Sequence, residues 1–325
     1  MPPEQRSASA LFADIGGTHA RFALAHAGEV GPIATLQTAQ YEGAEVAIRA
    51  FLETAQLHSP PQTAALACAG PVENGRVQLT NSDWQIDAEQ IRSELGFEDI
   101  ILVNDFASVA WAIPFMKKTD LHPIGGGQAV DGAPCAVLGP GTGLGVAGYL
   151  PHGGEDAVIV GEGGHVSMPS VTDREAEVLA AARSELGHVS AERLLSGEGL
   201  VRLYQTLASL DGIEAPLRSA SEITDAAAAQ GCSLCRAAFG MFCEMLGTVA
   251  GNLALTFGAR GGIYIAGGIV PKTKSTFAAS RFRQRFEAKG RFRDYLAQVP
   301  TSIVMHPEPA FLGLMRVLRG IASRS

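Results

Sequence analysis

Five consecutive residues near the N-terminus, Asp14-Ile-Gly-Gly-Thr18, have the types and spacing to bind a phosphate group and a metal ion. The two adjacent glycines leave their backbone N–H groups open to an anion, because no Cβ atom stands in the way. Thr18 adds a hydroxyl donor, and Asp14 is placed to hold a hydrated Mg²⁺ ion. Apolar, β-prone residues on both sides predict a hairpin with these residues at its turn. A tight hairpin with a solvated aspartate is the alternative interpretation.

A second glycine-rich stretch, Gly139–Gly145, repeats this design of strand, glycine–threonine turn and strand. It lacks the Gly-Lys-Ser/Thr ending of a P-loop, and Leu144 and Val146 stand where a dinucleotide fingerprint would need glycine. Its backbone donors and the Thr142 hydroxyl still suit a phosphate, although a flexible hairpin is the alternative. A third turn, at Gly267-Gly268, follows another short apolar strand.

Two further stretches combine carboxylates with other hydrogen-bonding side chains. Asn104 and Asp105 follow the apolar strand 100–103 and form a candidate catalytic pair, with a turn or helix cap as the alternative. In Gly161-Glu-Gly-Gly-His165, the glycines are expected to hold unusual backbone angles and to leave Glu162 and His165 projecting outward. A plain loop is the alternative there. Glu192 is a weak candidate taken alone, since a solvated helix residue would look the same.

Strands alternate with helical patterns along most of the chain, which predicts an α/β protein with mixed sheets and helices on both faces. The strand–turn–strand design occurs in two cycles, which indicates two similarly built halves. The length of 325 residues is comfortable for two domains. Ligands in open α/β sheets bind beyond the C-terminal ends of strands, which is where the glycine turns and Asn104-Asp105 are predicted to lie.

Composition excludes several classes of protein. The formal net charge is −8 and no basic run occurs, so nucleic acid is not an expected partner. A phosphorylated ligand would have to be held by amides, helix dipoles and metal. The apolar stretch 241–259 is interrupted by Glu244 and Asn252, which favours a buried core helix over a membrane span. Residues 1–10 are polar and show no signal peptide pattern.

The five cysteines are scattered, as is typical of proteins from a reducing compartment. Cys232 and Cys235 form a CxxC motif within a helical pattern. No second pair of cysteines or histidines lies nearby in the sequence, so the motif is a poor zinc candidate. We interpret both as ordinary helix residues.

In combination, these motifs resemble those of bacterial glucokinases of the hexokinase type, within the actin-like ATPase superfamily. The matching stretches run from residue 11 to about residue 315: Asp14–Thr18, Leu102–Pro114, Gly139–Gly145, Gly161–His165, Ala191–Leu203, Gly262–Pro271 and Phe282–Tyr295. The repressor/kinase group of bacterial sugar kinases carries a Cys-rich zinc loop after its Glu-x-Gly-His motif. Nothing of that kind follows His165, so that group is the less similar one.

The resemblance implies a two-lobed actin-like ATPase (ribonuclease H-like) fold, each lobe a mixed sheet flanked by helices. A small domain would comprise residues 1–115, completed by a C-terminal helix in 306–325, and a large domain would comprise 116–305. The implied activity is transfer of a phosphoryl group from ATP to the 6-hydroxyl of glucose, giving glucose 6-phosphate and ADP at the entry to glycolysis. Kinases for another hexose or an amino sugar, and a non-catalytic sugar-sensing protein on the same fold, are the alternatives.

The resemblance also implies a role for each motif. Asp105 would be the general base on the 6-hydroxyl. The sugar hydroxyls would be bound by Asn104, Asp105, Glu162, His165 and Glu192. The ATP phosphates would be held by Ala13, Asp14, Ile15, Gly16, Gly17, Thr18, Gly139, Gly141, Thr142 and Gly143. Gly267 and Gly268 would lie against the adenosine, and Asp14 would hold Mg²⁺ through water. Relatives often have asparagine where this chain has His19, which we assign no role.

The same family suggests a cytoplasmic homodimer that binds glucose and ATP and neither nucleic acid nor membrane. Because the implied sugar ligands come from both predicted domains, glucose is expected to favour a closed form. We expect hinges near 114–116 and 305–307.

We therefore expect saturating glucose to lower the radius of gyration measured by small-angle X-ray scattering. Galactose is the control sugar, since a mismatched hydroxyl should bind less well. An unchanged radius with glucose would mean that the sugar site lies within one domain and that the division at residue 115 is wrong.

Overall fold

The structure, a computed structural model, describes residues 10–322 except 27, 28, 56, 58, 81 and 154. The predictions for the polar segment before residue 10 lie outside these residues. The strands are β1 (Ala10–Ile15), β2 (His19–His26), β3 (Glu29–Val30), β4 (Ala34–Gln37), β5 (Thr63–Cys68), β6 (Arg76–Gln78), β7 (Gln85–Asp87), β8 (Asp99–Asn104), β9 (Leu121–Gly125), β10 (Cys135–Pro140), β11 (Leu144–Leu150), β12 (Ala157–Gly161), β13 (Gly262–Ile265) and β14 (Thr301–Val304).

The α-helices are α1 (Ala44–Thr54), α2 (Ala88–Leu95), α3 (Asp105–Ala112), α4 (Asp173–Leu186), α5 (Gly197–Leu210), α6 (Ala220–Ala228), α7 (Ser233–Phe257), α8 (Lys274–Ala278), α9 (Phe282–Glu287), α10 (Arg293–Gln298) and α11 (Pro309–Ala322). Short 3₁₀ helices lie between them, among them Ile113–Phe115 and Gly163–His165. The chain divides into two compact units, Met1–Met116 with Pro307–Ser325, and Lys117–His306.

The first unit is built on a mixed sheet with the strand order β3-β2-β1-β5-β8, in which β4 also pairs with β2. β1, β5 and β8 run parallel, and β2 returns antiparallel to β1. A second, two-stranded sheet pairs β6 with β7. The parallel strands therefore end at the same edge, which brings the end of β1 and the end of β8 to one side of the sheet.

Strand β1 is buried on both faces of this sheet. Leu11 and Ile15 pack into a core cluster that includes Ile48 of α1. Phe12 points to the other face, where it joins a cluster with Phe311 of α11. Alternate side chains of a strand point to opposite faces, so a strand with apolar side chains on both faces needs a cover on each side. The C-terminal helix α11 supplies the second cover.

The second unit is built on a mixed sheet with the strand order β12-β11-β10-β13-β14-β9, in which β10, β13 and β14 run parallel. Helix α7 crosses its core. Within the described residues, α7 is the one helix that is long and apolar enough to span a membrane. In its most apolar stretch of 18 residues, 67% is buried inside the protein. Such burial is what a core helix shows, in agreement with the sequence interpretation.

The sequence prediction of an α/β fold with mixed sheets flanked by helices is confirmed. Helix α2 shows why some boundaries are readable: Asp87 caps its first turn, and Gly96 ends it in the left-handed conformation at φ +75°. One boundary differs, because β10 extends to Pro140 and Gly139 lies in the strand instead of the turn. The predicted boundaries of the small and large domains stay a prediction.

A buried ionic network joins three helices of the second unit. Arg285 of α9 lies 2.9 Å from a carboxylate oxygen of Glu175 in α4 and donates to Glu244 of α7 at 2.7 Å. Glu175 is only 1% exposed, and Arg285 is 8% exposed. A buried charge is tolerated when it is paired with an opposite charge. Because the three paired side chains come from three helices, the position of each helix depends on the other two.

Replacing Arg285 by methionine should lower the free energy of unfolding by about 3–5 kcal/mol, because Glu175 would stay buried without a cation. Arg281→Met is the matched control, since the Arg281 side chain is 68% exposed although it also contacts Glu244, at 3.3 Å. That control should cost under about 1 kcal/mol. Urea unfolding of both variants measures the difference, and equal losses would contradict the account.

Candidate active site

The Asp14–Thr18 stretch forms the predicted hairpin turn between β1 and β2. Backbone hydrogen bonds close it, with Gly16 N–H donating to His19 O at 3.0 Å. Thr38, which the sequence analysis did not single out, supports the turn from outside. Its hydroxyl donates to Gly17 O at 2.6 Å, and its N–H donates to Thr18 O at 3.1 Å. Thr18 and His19 stay exposed on the turn.

Asp14 is not a solvated carboxylate. It is buried and accepts a hydrogen bond from the Arg21 guanidinium, which also donates to Glu308 at 2.5 Å. Burial raises the pKa of Asp14 above its ordinary value, although Arg21 acts in the opposite direction. The hairpin register places Asp14 directly opposite Arg21, so counting outward from the turn could have found this cation. Glu308 lies 287 residues after Arg21, and no local pattern in the sequence predicts its contact with Arg21.

The neighbours of Asp14 in the predicted phosphate site are less accessible. Ala13 and Ile15 are fully buried in the core of the first unit. Ile15 O accepts a hydrogen bond from Ala69 N at 3.0 Å. The parts of this motif that a ligand can reach are therefore the turn, at Gly16, Gly17 and Thr18, and the 11% of the Asp14 side chain that stays exposed.

Asn104 and Asp105 lie where β8 ends and α3 begins. Asn104 is the N-cap of α3: its side-chain oxygen accepts from Ala107 N at 3.0 Å, and its amide donates to Gly70 O at 3.2 Å. Asp105 is the first residue of the helix and is half-buried, with one carboxylate oxygen accepting from Phe106 N at 2.8 Å. The cap holds the start of α3 in place, which fixes the Asp105 side chain at the sheet edge where β1 also ends.

In the second unit, the turn between β10 and β11 spans Gly141, Thr142 and Gly143. Gly141 N–H donates to Gly143 O at 2.8 Å, and Thr142 is exposed at the tip. The first residue of α5, Gly197, donates to Gly141 O at 2.9 Å. The N-terminus of a 14-residue helix therefore abuts the turn, where its partial positive charge favours an anion.

The Gly267-Gly268 turn lies against the turn between β10 and β11. Gly267 has φ +82°, and a Cβ atom there would lie 2.4 Å from Pro140 O. Gly268 N lies 3.7 Å from the position of a Cβ atom on Gly141. The structure thus brings together the two glycine turns to which the family resemblance gives the phosphates and the adenosine.

His165 lies between two carboxylates. Its Nε2 atom is 3.8 Å from Glu162 Oε2 and 3.9 Å from Glu192 Oε1. These distances are too long for direct hydrogen bonds, so all three groups can still bond to hydroxyls placed among them. The Glu162 and His165 side chains are each 52% exposed, and Glu192 is 26% exposed. We define Glu162, His165 and Glu192 as the carboxylate–histidine cluster.

Glu192 connects this cluster to the glycine turn. Its Oε2 atom accepts a hydrogen bond from Leu144 N at 2.8 Å, directly after Gly143. A Cβ atom on Gly143 would lie 2.4 Å from the same oxygen. Glu192 lies in a turn before α5 and not in a helix, so the interpretation as a solvated helix residue is wrong.

The glycines around Glu162 have a different role from the one predicted. Gly161, Gly163 and Gly164 all lack a positive φ, so a left-handed backbone is not what requires glycine here, although Glu162 between them has φ −95° and ψ 51°, outside the helix and strand regions. Glycine is required at two of these positions because a side chain would not fit. A Cβ atom on Gly164 would lie 2.1 Å from Leu144 O, and one on Gly163 would lie 2.9 Å from the Val146 side chain. The loop packs directly on β11.

The described residues contain no group of three or more His, Cys, Asp or Glu side chains that could hold a metal ion by themselves. Asp14 is the predicted metal ligand, and Arg21 already occupies one of its oxygens. An arrangement of this kind fits a hydrated ion that brings other ligands with it better than an ion held by protein alone.

Two α/β units, each with a mixed sheet and a glycine turn at the C-terminal end of a strand, define the actin-like ATPase fold class to which sugar kinases belong. A family model described as glucokinase matches residues 11–320. The chain belongs to the glucokinase family.

Individual relatives agree with this assignment. The glucokinase of Paramagnetospirillum magneticum is 46% identical over 306 residues, covering 94% of this chain and 95% of its own. A crystal structure of glucokinase from an Antarctic psychrotroph superposes with a TM-score of 0.84 at 38% identity, covering 95% and 98% of the two chains. A ROK family glucokinase from Streptomyces griseus, in complex with glucose and AMPPNP, shares the fold at a TM-score of 0.65 and 20% identity, covering 95% and 98%.

Substituting Gly164 by alanine should lower the free energy of unfolding by about 1–3 kcal/mol, because its Cβ atom would overlap the Leu144 carbonyl. Gly161→Ala is the matched control at the end of β12, where the chain enters this loop, since no atom lies within 4 Å of a Cβ atom there. The control should change stability by less than about 0.5 kcal/mol. Thermal or urea unfolding measures both, and a harmless Gly164→Ala would show that the loop is not packed as described.

Proposed function

We propose that this protein transfers a phosphoryl group from Mg-ATP to the 6-hydroxyl of glucose, giving glucose 6-phosphate and ADP. Membership of the glucokinase family supports the reaction. The observation that carries it in the structure is the carboxylate–histidine cluster beside a glycine turn. A neutral sugar needs directional acceptors and donors, and phosphoryl transfer needs its donor phosphate held next to that sugar.

The cluster suits vicinal hydroxyls. Two carboxylates separated by an imidazole offer acceptors on both sides and one group that can accept or donate. In the proposal, Glu162, His165 and Glu192 hold the sugar hydroxyls, and Asn104 and Asp105 are further proposed sugar ligands. Asn104 would use the amide hydrogen that its bond to Gly70 leaves over.

The nucleotide side uses backbone groups in place of lysine. The proposed phosphate ligands are the two glycine–threonine turns, with Thr18 and Thr142 exposed at their tips. The N-terminus of α5 adds a favourable dipole next to Gly141. Gly267 and Gly268 would contact the adenosine. Arg21 is a further positive charge beside the first turn, which the sequence analysis missed.

Mg²⁺ enters this proposal as part of the substrate Mg-ATP. Its charge neutralises the ATP phosphates during transfer. Asp14 is the residue proposed to contact the hydrated ion through water, with its other oxygen held by Arg21.

Asp105 is proposed as the general base that accepts the proton of the 6-hydroxyl. Its position at the first residue of α3, behind a capped helix start, holds the carboxylate in one place. A base must be oriented as well as ionised, because proton transfer requires hydrogen-bond geometry in the transition state.

Replacing Asp105 by asparagine should lower kcat by about 10²–10⁴, with a small change in KM for glucose, since the amide keeps the shape but cannot accept the proton. Asp99→Asn is the matched control, on an exposed residue at the opposite end of β8. Steady-state kinetics of both variants measure the effect. If Asp105→Asn turns over glucose within about threefold of the unmodified protein, another group is the base.

Release of ADP from Mg-ATP in the presence of a sugar panel tests the reaction itself. Glucose should be the preferred acceptor, and phosphorus NMR of the product should show the 6-phosphate. Preference for another hexose or an amino sugar would favour the second candidate. Glucose binding without turnover would favour a sugar-sensing protein. Replacing ATP by ADP or polyphosphate in the same assay identifies the donor.

We also propose membership of the hexokinase-type group instead of the ROK group, because no cysteine follows His165 before Cys232. Homodimerisation, a cytoplasmic location, entry into glycolysis and the absence of nucleic-acid and membrane partners stay predictions. Sedimentation velocity tests whether the protein forms a homodimer.

A further inference from the structure

Cys232 and Cys235 occupy the first turn of α7. Cys232 is the N-cap of this 25-residue helix, and its Sγ atom accepts a hydrogen bond from Cys235 N at 3.1 Å. The two side chains also contact each other through a hydrogen bond. Cys232 is half-buried, and Cys235 is buried behind it. One thiol therefore faces outward within reach of a second thiol.

The surroundings favour a thiolate at the outer position. Arg218 lies beside the pair, and its buried Nε atom has no hydrogen-bond partner. Burial acts against ionisation of Cys232, but hydrogen bonds from Cys235 and the charge of Arg218 outweigh it and lower its pKa. Burial raises the pKa of Cys235 to about 11. This difference in pKa suits Cys232 to act as the attacking nucleophile and Cys235 to act as the resolving thiol.

The remaining cysteines provide an internal contrast. Cys68, Cys135 and Cys243 are all buried, and burial raises the pKa of Cys135 and of Cys243 to about 12. Buried protonated thiols react slowly, since the thiolate is the nucleophile. Two thiols cannot fill the four positions of a zinc site, so metal binding does not explain the pair.

We propose that Cys232 and Cys235 form a redox-active dithiol that small disulfides of the glutathione type oxidise to an intramolecular disulfide. The Cys232 thiolate attacks one sulfur of the oxidant, and one glutathione leaves as its thiolate. The Cys235 sulfur then attacks Cys232 Sγ and expels the second glutathione. The two thiol protons pass to the two leaving thiolates, so that one dithiol and one disulfide give one disulfide and two thiols. The proposal thus adds a chemical role to two cysteines that the sequence analysis interpreted as ordinary helix residues.

The test measures mass and thiol reactivity, so its outcome is independent of the proposed kinase activity. Reduced protein is exposed to glutathione disulfide, alkylated in acid and digested with trypsin, which releases both cysteines in the peptide 219–236. We expect this peptide to lose two hydrogens while Cys68, Cys135 and Cys243 are alkylated only after denaturation. Cys235→Ser should trap a glutathione adduct on Cys232, whereas Cys232→Ser should leave Cys235 unmodified.

Arg218→Gln should slow the first step several-fold, measured by intact mass against time. Arg236→Gln is the matched control, because Arg236 is adjacent in sequence but donates to Gln230 O. A Cys232→Ser variant that reacts as fast as Cys235→Ser, or a peptide that keeps both thiols in the unmodified protein, would overturn the proposal. Equal rates of glutathione addition in the two arginine variants would show that Arg218 does not activate Cys232.

Discussion

The candidate site of the second unit depends on backbone segments that approach one another more closely than any side chain allows. Cβ atoms on Gly164 and Gly267 would lie 2.1 Å from Leu144 O and 2.4 Å from Pro140 O, and the Glu192 side chain comes similarly close to Gly143, with Oε2 2.4 Å from the position of a Cβ atom. Each contact brings one functional segment onto another: the Glu162–His165 loop onto β11, the third glycine turn onto β10, and Glu192 onto the phosphate turn. Because glycine permits these approaches, the side chains proposed to bind sugar and the amides proposed to bind phosphate lie in one small region of the second unit.

Glu192 links the two halves of the proposed chemistry. One carboxylate oxygen faces His165 at 3.9 Å, and the other accepts from Leu144 N at 2.8 Å. A hydrogen bond to a charged acceptor fixes its geometry more firmly than a neutral one. The side chain is therefore oriented before any sugar arrives, which lowers the ordering cost of binding. The cap at Asn104 does the same for Asp105 in the first unit.

The local part of this arrangement could be predicted from the sequence, and the long-range part could not. The ends of helix α2 are readable from the sequence, because its capping aspartate, Asp87, and its terminal glycine, Gly96, are local signals. The glycines around Glu162 were recognised, but their need for space was not, since nothing in the sequence shows that Leu144 O lies beneath Gly164. Thr38 and Glu308 were missed for the same reason. Their contacts with Gly17 and Arg21 depend on strand register and helix placement.

The central claim is that the carboxylate–histidine cluster binds sugar hydroxyls. The most direct test compares the KM for glucose with the KM for ATP in the Glu162→Gln variant. Losing one charged acceptor should cost about 1–3 kcal/mol, which raises KM for glucose about 5- to 150-fold. The KM for ATP should stay within about twofold. Glu177→Gln, an exposed residue of α4, is the control and should change neither value. An equal rise in both KM values would contradict the account and move this loop to the nucleotide side.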